Sequence, residues 1–258
     1  MKKNYIQPRK KIAIITGASS GLGWEFSREI DNEKEIEEVW LIARRKKNLD
    51  TLSKKLKNKP VVLTLDLQNP NSISQLQKKL EKENPIIRFL VNNAGIGAVG
   101  FAKEISSERQ IGMVDLNVKA LTKITLLSIP YMQEGSSIIQ IASSAGFAPM
   151  ANFAIYAASK AFVIYFSEGL RAELKEEKIH VCTVCPGPVK TEFFEGASGN
   201  KPPRLAADPV EVVRLAMKDT KKGKAFSIYG FPMKLYYTLV NFLPKSLILW
   251  FTKKVKFA

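Results

Sequence analysis

Tyr156 and Lys160 stand four residues apart in A-I-Y-A-A-S-K, a spacing that puts both on one helical face. An ammonium beside a phenol favours phenolate and lowers the cost of moving a proton through the tyrosine. Just upstream, the apolar run Ile138–Ala142 reads as a strand that breaks at Ser143, Ser144 and Gly146. A hydroxyl at such a strand end can hydrogen-bond a substrate oxygen where the phenol meets it. Tyr and Lys at helical spacing also occur on solvated surfaces, so the pair alone is weak. The surrounding elements have to supply it with a reaction.

Those elements alternate. Ile12–Thr16, Val39–Ala43, Val61–Leu65, Ile87–Asn92, Ile138–Ala142, Ile179–Cys185 and Ala225–Tyr229 are short and nearly uniformly apolar. Runs without polar alternation fit parallel strands covered on both faces. Helix-like segments lie between them, including Asn71–Glu83 and Ser107–Met132. Asp208-Pro209-Val210-Glu211 opens another, with a cap residue, proline at the first position and an acid in the first turn. Alternation of this kind predicts an α/β fold with right-handed crossovers and a doubly wound parallel sheet. With no repeat, linker or low-complexity tract, the 258 residues read as one domain.

The first strand runs into T-G-A-S-S-G-L-G, Thr16 to Gly23, and then a helix. Gly17, Gly21 and Gly23 allow a tight turn and a close backbone approach, and the helix start offers N–H groups to a pyrophosphate. After the first strand of an α/β pattern, this is the signature of a dinucleotide site. A site selective for NAD places an acid after the second strand. Here Ala43 is followed by Arg44, Arg45, Lys46 and Lys47, while Glu37 and Glu38 lie at the opposite end of that strand. Guanidinium groups suit a 2′-phosphate, so NADP(H) is expected over NAD(H). Asp66, in L-D-L, serves either as a hydrogen-bond partner for adenine or as a turn former.

T-G-A-S-S-G-L-G, N-N-A-G at Asn92–Gly95, Asn117 in D-L-N-V, Ser143 in S-S-A-G, Tyr156-x-x-x-Lys160 and P-G-P-V-K-T at Pro186–Thr191 follow one another in order. In this the chain resembles the short-chain dehydrogenase/reductase family, with motifs from Thr16 to Thr191. The resemblance implies a Rossmann-type sheet of about seven strands in the order 3-2-1-4-5-6-7, with helices on both faces. It further implies that Tyr156 is the general acid or base, with Lys160 lowering its pKa and holding the nicotinamide ribose. Ser143 would hold the substrate oxygen, and Asn117 would support a water relay behind Lys160. Asn92 would help shape the adenosine side. Ser19, Ser20, Leu22, Leu67, Asn93, Ala94, Gly95, Pro186 and Gly187 would join the cofactor contacts, and Val189 and Thr191 would meet the carboxamide. The family also implies a homodimer or homotetramer packed through Ser107–Met132 and the Tyr156 helix.

Composition narrows the rest. Forty basic against 24 acidic residues leave a formal charge of +16. The lysines are spread along helices with no nucleic-acid motif, so the charge reads as mostly solvated, with attraction to an anionic membrane ahead of nucleic acid. Cys182 and Cys185 have C-x-x-C spacing, but they sit on an apolar strand with one histidine, His180, in the whole chain. They read as structural thiols in a reducing cytoplasm, with no metal site. Residues 1–10 form a basic extension whose following apolar run is too short for a signal peptide, so no export is expected.

Glu192–Leu205, rich in glycine and proline, reads as a mobile substrate flap. Phe193 and Phe194 there either face the substrate or pin the flap to the core. Residues 231–258 are apolar and lysine-rich, with Lys234, Pro244 and Lys245 interrupting any span. Two short helices flanking Pro244 are expected to cover the pocket or pack on another subunit, or else to lie on an anionic bilayer. An apolar cover points to a lipophilic carbonyl or alcohol, such as a steroid or bile acid, or a fatty lipid. The rival reading is a non-catalytic NADP-binding sensor, which a bare fold permits.

Overall fold

A computed structural model describes residues 9–254; the first eight residues of the expected 1–10 extension and the last four of the expected 231–258 extension lie outside the described residues. Seven parallel strands form its sheet: β1 (Lys11–Thr16), β2 (Glu38–Ala43), β3 (Lys59–Thr64), β4 (Ile86–Asn92), β5 (Ser137–Ile141), β6 (His180–Val184) and β7 (Phe226–Ser227). Their order is β3-β2-β1-β4-β5-β6-β7, as expected. The helices that bear on the site are α1 (Gly21–Ile30), α2 (Lys46–Ser53), α3 (Pro70–Glu83), α4 (Ser107–Val114), α5 (Leu121–Ser128) and α6 (Ala154–Glu173). They are followed by α7 (Glu192–Ser198), α8 (Pro209–Lys221), α9 (Phe231–Val240) and α10 (Lys245–Lys254).

The uniformly apolar strands follow from two cores on opposite faces. In β1, Ala13 and Ile15 face a core filled by Phe26 and Ile30 of α1, Leu49 and Leu52 of α2, and Val212 and Val213 of α8. Ile12 and Ile14 face the other, with Ile73, Leu76 and Leu80 of α3 and Leu170 of α6. Because successive strand residues point to opposite faces, a doubly covered strand needs apolar groups at every position. The outer strand β3 is only half-buried and tolerates Pro60, as an edge permits.

Three expectations are corrected. β7 shrinks from Ala225–Tyr229 to Phe226–Ser227, because an edge strand has one neighbour and pairs only Thr183 and Val184. The helix expected at Ser107–Met132 is α4 and α5 joined by a π-helical segment, Asp115–Ala120, and ends in a 3₁₀ turn at Ile129–Tyr131. The flap expected from Glu192 to Leu205 begins with the helical turn pair of α7.

The N-terminal ends of the strands are pinned by charge. Burial pushes the Glu38 carboxyl up, but hydrogen bonds from Lys10, Lys59 and the Trp40 indole overturn this and hold it at about 2. Cys182 and Cys185 are free and buried, and burial raises both thiols, Cys182 to about 11. Such thiols are poor nucleophiles, in keeping with a structural role.

Candidate active site

The C-terminal strand ends open on a cavity of about 650 Å³. It lies where the strand order reverses between β1 and β4, the place where doubly wound sheets leave a crevice.

One side is a backbone cradle. Gly17 has φ +66°, and a Cβ there would sit 2.6 Å from the Asn93 amide nitrogen. A Cβ on Gly23 would meet the Gly17 carbonyl oxygen at 2.3 Å. Only glycine lets the turn fold this tightly against the N-N-A-G loop. Thr16 locks the two together: its hydroxyl accepts from the N–H groups of Asn93 (2.9 Å) and Ala94 (3.0 Å). Asn93 Nδ2 donates in return to the Thr16 carbonyl at 2.9 Å. Ser20 makes no side-chain cap bond to α1, so the first N–H groups of that helix are left for a ligand. The cradle and the helix start fit the pyrophosphate of a dinucleotide.

At the edge of the cradle, Arg45 donates to Ser20 Oγ at 2.6 Å and to Ser19 Oγ at 3.1 and 3.2 Å. It also pairs with Glu192 of α7 at 2.6 Å. Arg44 lines the same cavity with no ion pair among the described residues. This guanidinium and hydroxyl cluster is suited to a phosphate ester. Asp66 is exposed on the cavity wall and accepts from the Gln68 N–H at 3.1 Å, which is the turn-former geometry. The cap of α3 is Asn69 instead.

On the opposite side, α6 carries Tyr156 and Lys160 into the cavity wall. Lys160 Nζ donates to the Ile141 carbonyl at 2.7 Å, fixing the amine at the end of β5. Burial lowers its pKa to about 8. Burial likewise pushes the Tyr156 phenol up to about 12, against the opposing influence of the Ser143 hydroxyl. The phenol therefore holds its proton across the physiological range and is ready to donate it. Ser143, extended at the strand end, also accepts from the Ala145 N–H at 3.1 Å. The following 3₁₀ turn, Ser144–Phe147, packs so closely on α6 that a Cβ on Gly146 would lie 2.7 Å from the Lys160 carbonyl carbon.

Asn117 is fully buried behind the wall, in the π-helical segment. Its amide bonds both ways to the Ile96 backbone, at 2.9 and 3.0 Å, and donates to Ser159 Oγ at 3.1 Å. The extra residue per turn widens the helix and lets this side chain reach the β4 loop, a common use of π segments. A Cβ on Gly95 would be 3.1 Å from Asn117 Oδ1 and 3.5 Å from Lys160 Nζ, so the two side chains flank the same glycine.

Gly17, Ser19, Ser20, Gly21, Leu22, Arg44, Arg45, Asp66, Leu67, Asn93, Ala94, Gly95, Ser143, Tyr156, Lys160, Pro186, Gly187, Val189 and Thr191 all line the cavity. Gly23 and Asn117 support it from behind. Asn92 departs from expectation: it is buried and donates to Thr125 of α5 at 2.9 Å, because strand alternation turns it away from Asn93. Several contributors escaped sequence reasoning. Thr16 and Ser159 carry hydrogen bonds that only folding reveals. Arg109 donates to the carbonyls of Gly97 (3.3 Å) and Gly196 (2.6 Å), tying α7 across the cavity mouth. Phe153, and with it Phe193 which the sequence already singled out, pack tilted against the Tyr156 ring with centroids at 4.4 and 5.6 Å. Met233 and Tyr236 reach the wall from α9.

Among the described residues no group of His, Cys, Asp or Glu is placed to hold a metal ion. Comparison with known proteins agrees with the geometry. The family model for short chain dehydrogenases matches residues 11–201. The 17-beta-hydroxysteroid dehydrogenase type 3 of Danio rerio is 30% identical over 251 residues, 93% of this chain and 78% of that protein. An NADP-dependent 3-hydroxy acid dehydrogenase of Shigella flexneri is 35% identical over 73% of this chain and 78% of its own length. A short-chain dehydrogenase from Sphingobium yanoikuyae, solved in complex with NADPH, matches with a TM-score of 0.80 at 26% identity, covering 96% of this chain and 97% of that one. With its glycine cradle, its buried tyrosine and lysine, and these relatives, the chain belongs to the short-chain dehydrogenase family of oxidoreductases.

Proposed function

We propose that this protein is an NADP(H)-dependent oxidoreductase, folded as one domain, that interconverts a carbonyl and a secondary alcohol on a lipophilic substrate. The observation that carries the reading is the convergence of Ser143, Tyr156 and Lys160 on one wall of the cavity, opposite the glycine cradle. A non-catalytic binding protein has no need of a proton donor there.

Bound NADPH would supply the hydride; the chain supplies the rest. The cradle at Gly17–Gly23 and the loop Asn93–Gly95 would hold the pyrophosphate, and Arg44, Arg45, Ser19 and Ser20 the 2′-phosphate. Lys160, anchored on the Ile141 carbonyl, would hold the nicotinamide ribose, with Pro186, Gly187, Val189 and Thr191 beside the carboxamide. Ser143 would donate a hydrogen bond to the substrate carbonyl oxygen, and Tyr156 would give that oxygen a proton as negative charge develops. Lys160, cationic below about pH 8, stabilises the phenolate left behind. Asn117 would keep Lys160 positioned and lead replacement protons toward it.

Two of the relatives bear on the finer points. The Shigella flexneri relative is described as NADP-dependent and the Danio rerio relative as a hydroxysteroid dehydrogenase. A ketone-specific alcohol dehydrogenase from Comamonas testosteroni, described as specific for bulky-bulky ketones, matches at 25% identity with a TM-score of 0.75. The substrate side of the cavity is apolar, with Met150, Phe153, Phe193, Phe194, Met233 and Tyr236 on its wall.

A cofactor-coupled screen tests all of this. NADPH consumption should exceed NADH consumption with steroid, bile-acid, fatty or aromatic ketones. Turnover of small sugars alone would remove the lipophilic substrate. Equal rates with NADH would remove the NADP preference. Tight NADPH binding with no carbonyl turned over would favour the sensor.

A further inference from the structure

We propose that the outer face of α9 and the turn into α10 form a docking surface for an anionic lipid bilayer, beside the substrate side of the cavity. Eight of the fifteen exposed large apolar side chains among the described residues fall within 231–250. That clustering makes a patch, whereas singly scattered apolar groups need no explanation. Phe231, Leu235 and Leu239 recur every four residues as one stripe along α9, and Phe242 follows in the turn beyond its end. Phe231 is 76% exposed and Phe242 82%. The opposite side of α9 is already occupied: Met233 and Tyr236 line the cavity, and Tyr237 packs on Phe147 with centroids 4.9 Å apart. The stripe is therefore left over after the helix has satisfied the fold.

Charge selects the occupant. No Asp or Glu follows Asp219, while Lys234, Lys245, Lys253, Lys254 and Lys256 do; Lys221 and Lys224 are already paired with Glu33 and Asp219. Lys234 and Lys245 are exposed and have no carboxylate partner among the described residues. A second copy of this chain meeting through the same segment would bring lysines against lysines, with no acid in the segment to offset them. An anionic leaflet offers the complementary charge, and each lysine near it adds attraction. Among the described residues no helix is long and apolar enough to cross a membrane, so this surface would lie on the bilayer. The same helix would then place its inner side at the cavity wall, giving a lipid-dissolved substrate a short path. That last point rests on the proposed function; the docking itself does not.

The test is co-sedimentation of the full-length protein with vesicles of phosphatidylcholine, with or without phosphatidylglycerol. Binding to the anionic vesicles should be about tenfold stronger or more, and should weaken steeply as salt is raised. Leu239→Glu with Phe242→Glu, at exposed sites that leave the core intact, should reduce binding to the phosphatidylcholine level. Lys234→Glu with Lys245→Glu should flatten the salt dependence. The proposal is overturned if the wild type stays in the supernatant at low salt, or if the Glu variants sediment as well as it does. It is also overturned if those variants dissociate an oligomer, seen by light scattering, without any vesicle binding in the wild type. Vesicle binding without carbonyl turnover would leave the docking surface standing and remove the proposed function; turnover without vesicle binding would do the reverse.

Discussion

The two sides of the cavity are held in different ways. On the cradle side, Thr16, Gly17, Gly23 and Asn93 are locked by reciprocal hydrogen bonds and by contacts too close for any Cβ. On the substrate side, α7 and α9 rest on α6 and on the Ser144–Phe147 turn through ring contacts, and α7 is tied to α4 through the Arg109 bonds to Gly97 and Gly196. Phe193, on α7, is still more than a third exposed although it packs against Tyr156. A shared cofactor needs one rigid shape, whereas a substrate has to get in and out. The contrast teaches that rigidity here is spent on what every turnover shares.

The largest break in that contrast should come from the wall between the two sides. Tyr156→Phe should lower carbonyl reduction on the order of 10²–10⁴-fold while leaving NADPH binding and the melting temperature nearly unchanged. Full activity in steady-state kinetics would remove the tyrosine from the mechanism. Next, Arg45→Ala should lose about 10–100-fold in NADPH affinity with little change for NADH, the scale of a charge-assisted hydrogen-bond cluster. A matching loss for both cofactors in fluorescence titrations would show that Arg45 only shapes the loop.

Gly23→Ala should destabilise the fold by about 1–3 kcal/mol, since the new methyl meets the Gly17 carbonyl and nothing there can retreat. Gly196→Ala, on the substrate side where a Cβ meets nothing within 4 Å, is the contrasting control and should leave the denaturation midpoint near wild type. A smaller effect is expected from pH. Reduction should fall by about tenfold per unit above roughly pH 8, as Lys160 loses its proton, whereas Tyr156 stays protonated. The stability contribution has the opposite sense. Because the folded pKa of Lys160 lies below its usual 10.5, the unfolded chain binds that proton more readily, and this residue's contribution rises between about pH 8 and 10.5. A rate profile flat to pH 10 would contradict the role given to Lys160.

The smallest effect links the two sides. Glu192, on the substrate-side helix, occupies the Arg45 guanidinium that a 2′-phosphate would use. Glu192→Gln should tighten NADPH binding only about two- to fivefold, because the ion pair is exposed. Weaker binding would mean that Glu192 instead orients Arg45 for the phosphate.

Much of this was legible in advance. The doubly covered parallel sheet follows from uniformly apolar runs alternating with helices, and the glycine turn has a local physical reason; the strand order and most of the other cavity residues were legible only through the family resemblance. Asn92 and Asn93 show the limit: they are neighbours in one motif, but a strand turns them to opposite faces, and only the packing of α5 decides which meets the core. Asn117 shows another, since a helical period through Ser107–Met132 gives no sign of the π segment that carries it to the β4 loop. Arg109 and the Arg45–Glu192 pair join residues 87 and 147 positions apart, beyond the reach of any local pattern.

What the sequence by itself determined is therefore the local part: which runs become strands, where the chain can turn tightly, and which groups can move a proton or meet a phosphate. The tertiary structure alone decided how those groups act on one another. Burial, which depends on every neighbour at once, lifts the Tyr156 phenol and depresses the Lys160 ammonium, although their spacing suggests mutual stabilisation. It also decided which side of α9 closes the cavity and which side is left facing outward, because the helix offers two apolar faces and the Ser144–Phe147 turn and cavity wall cover only one.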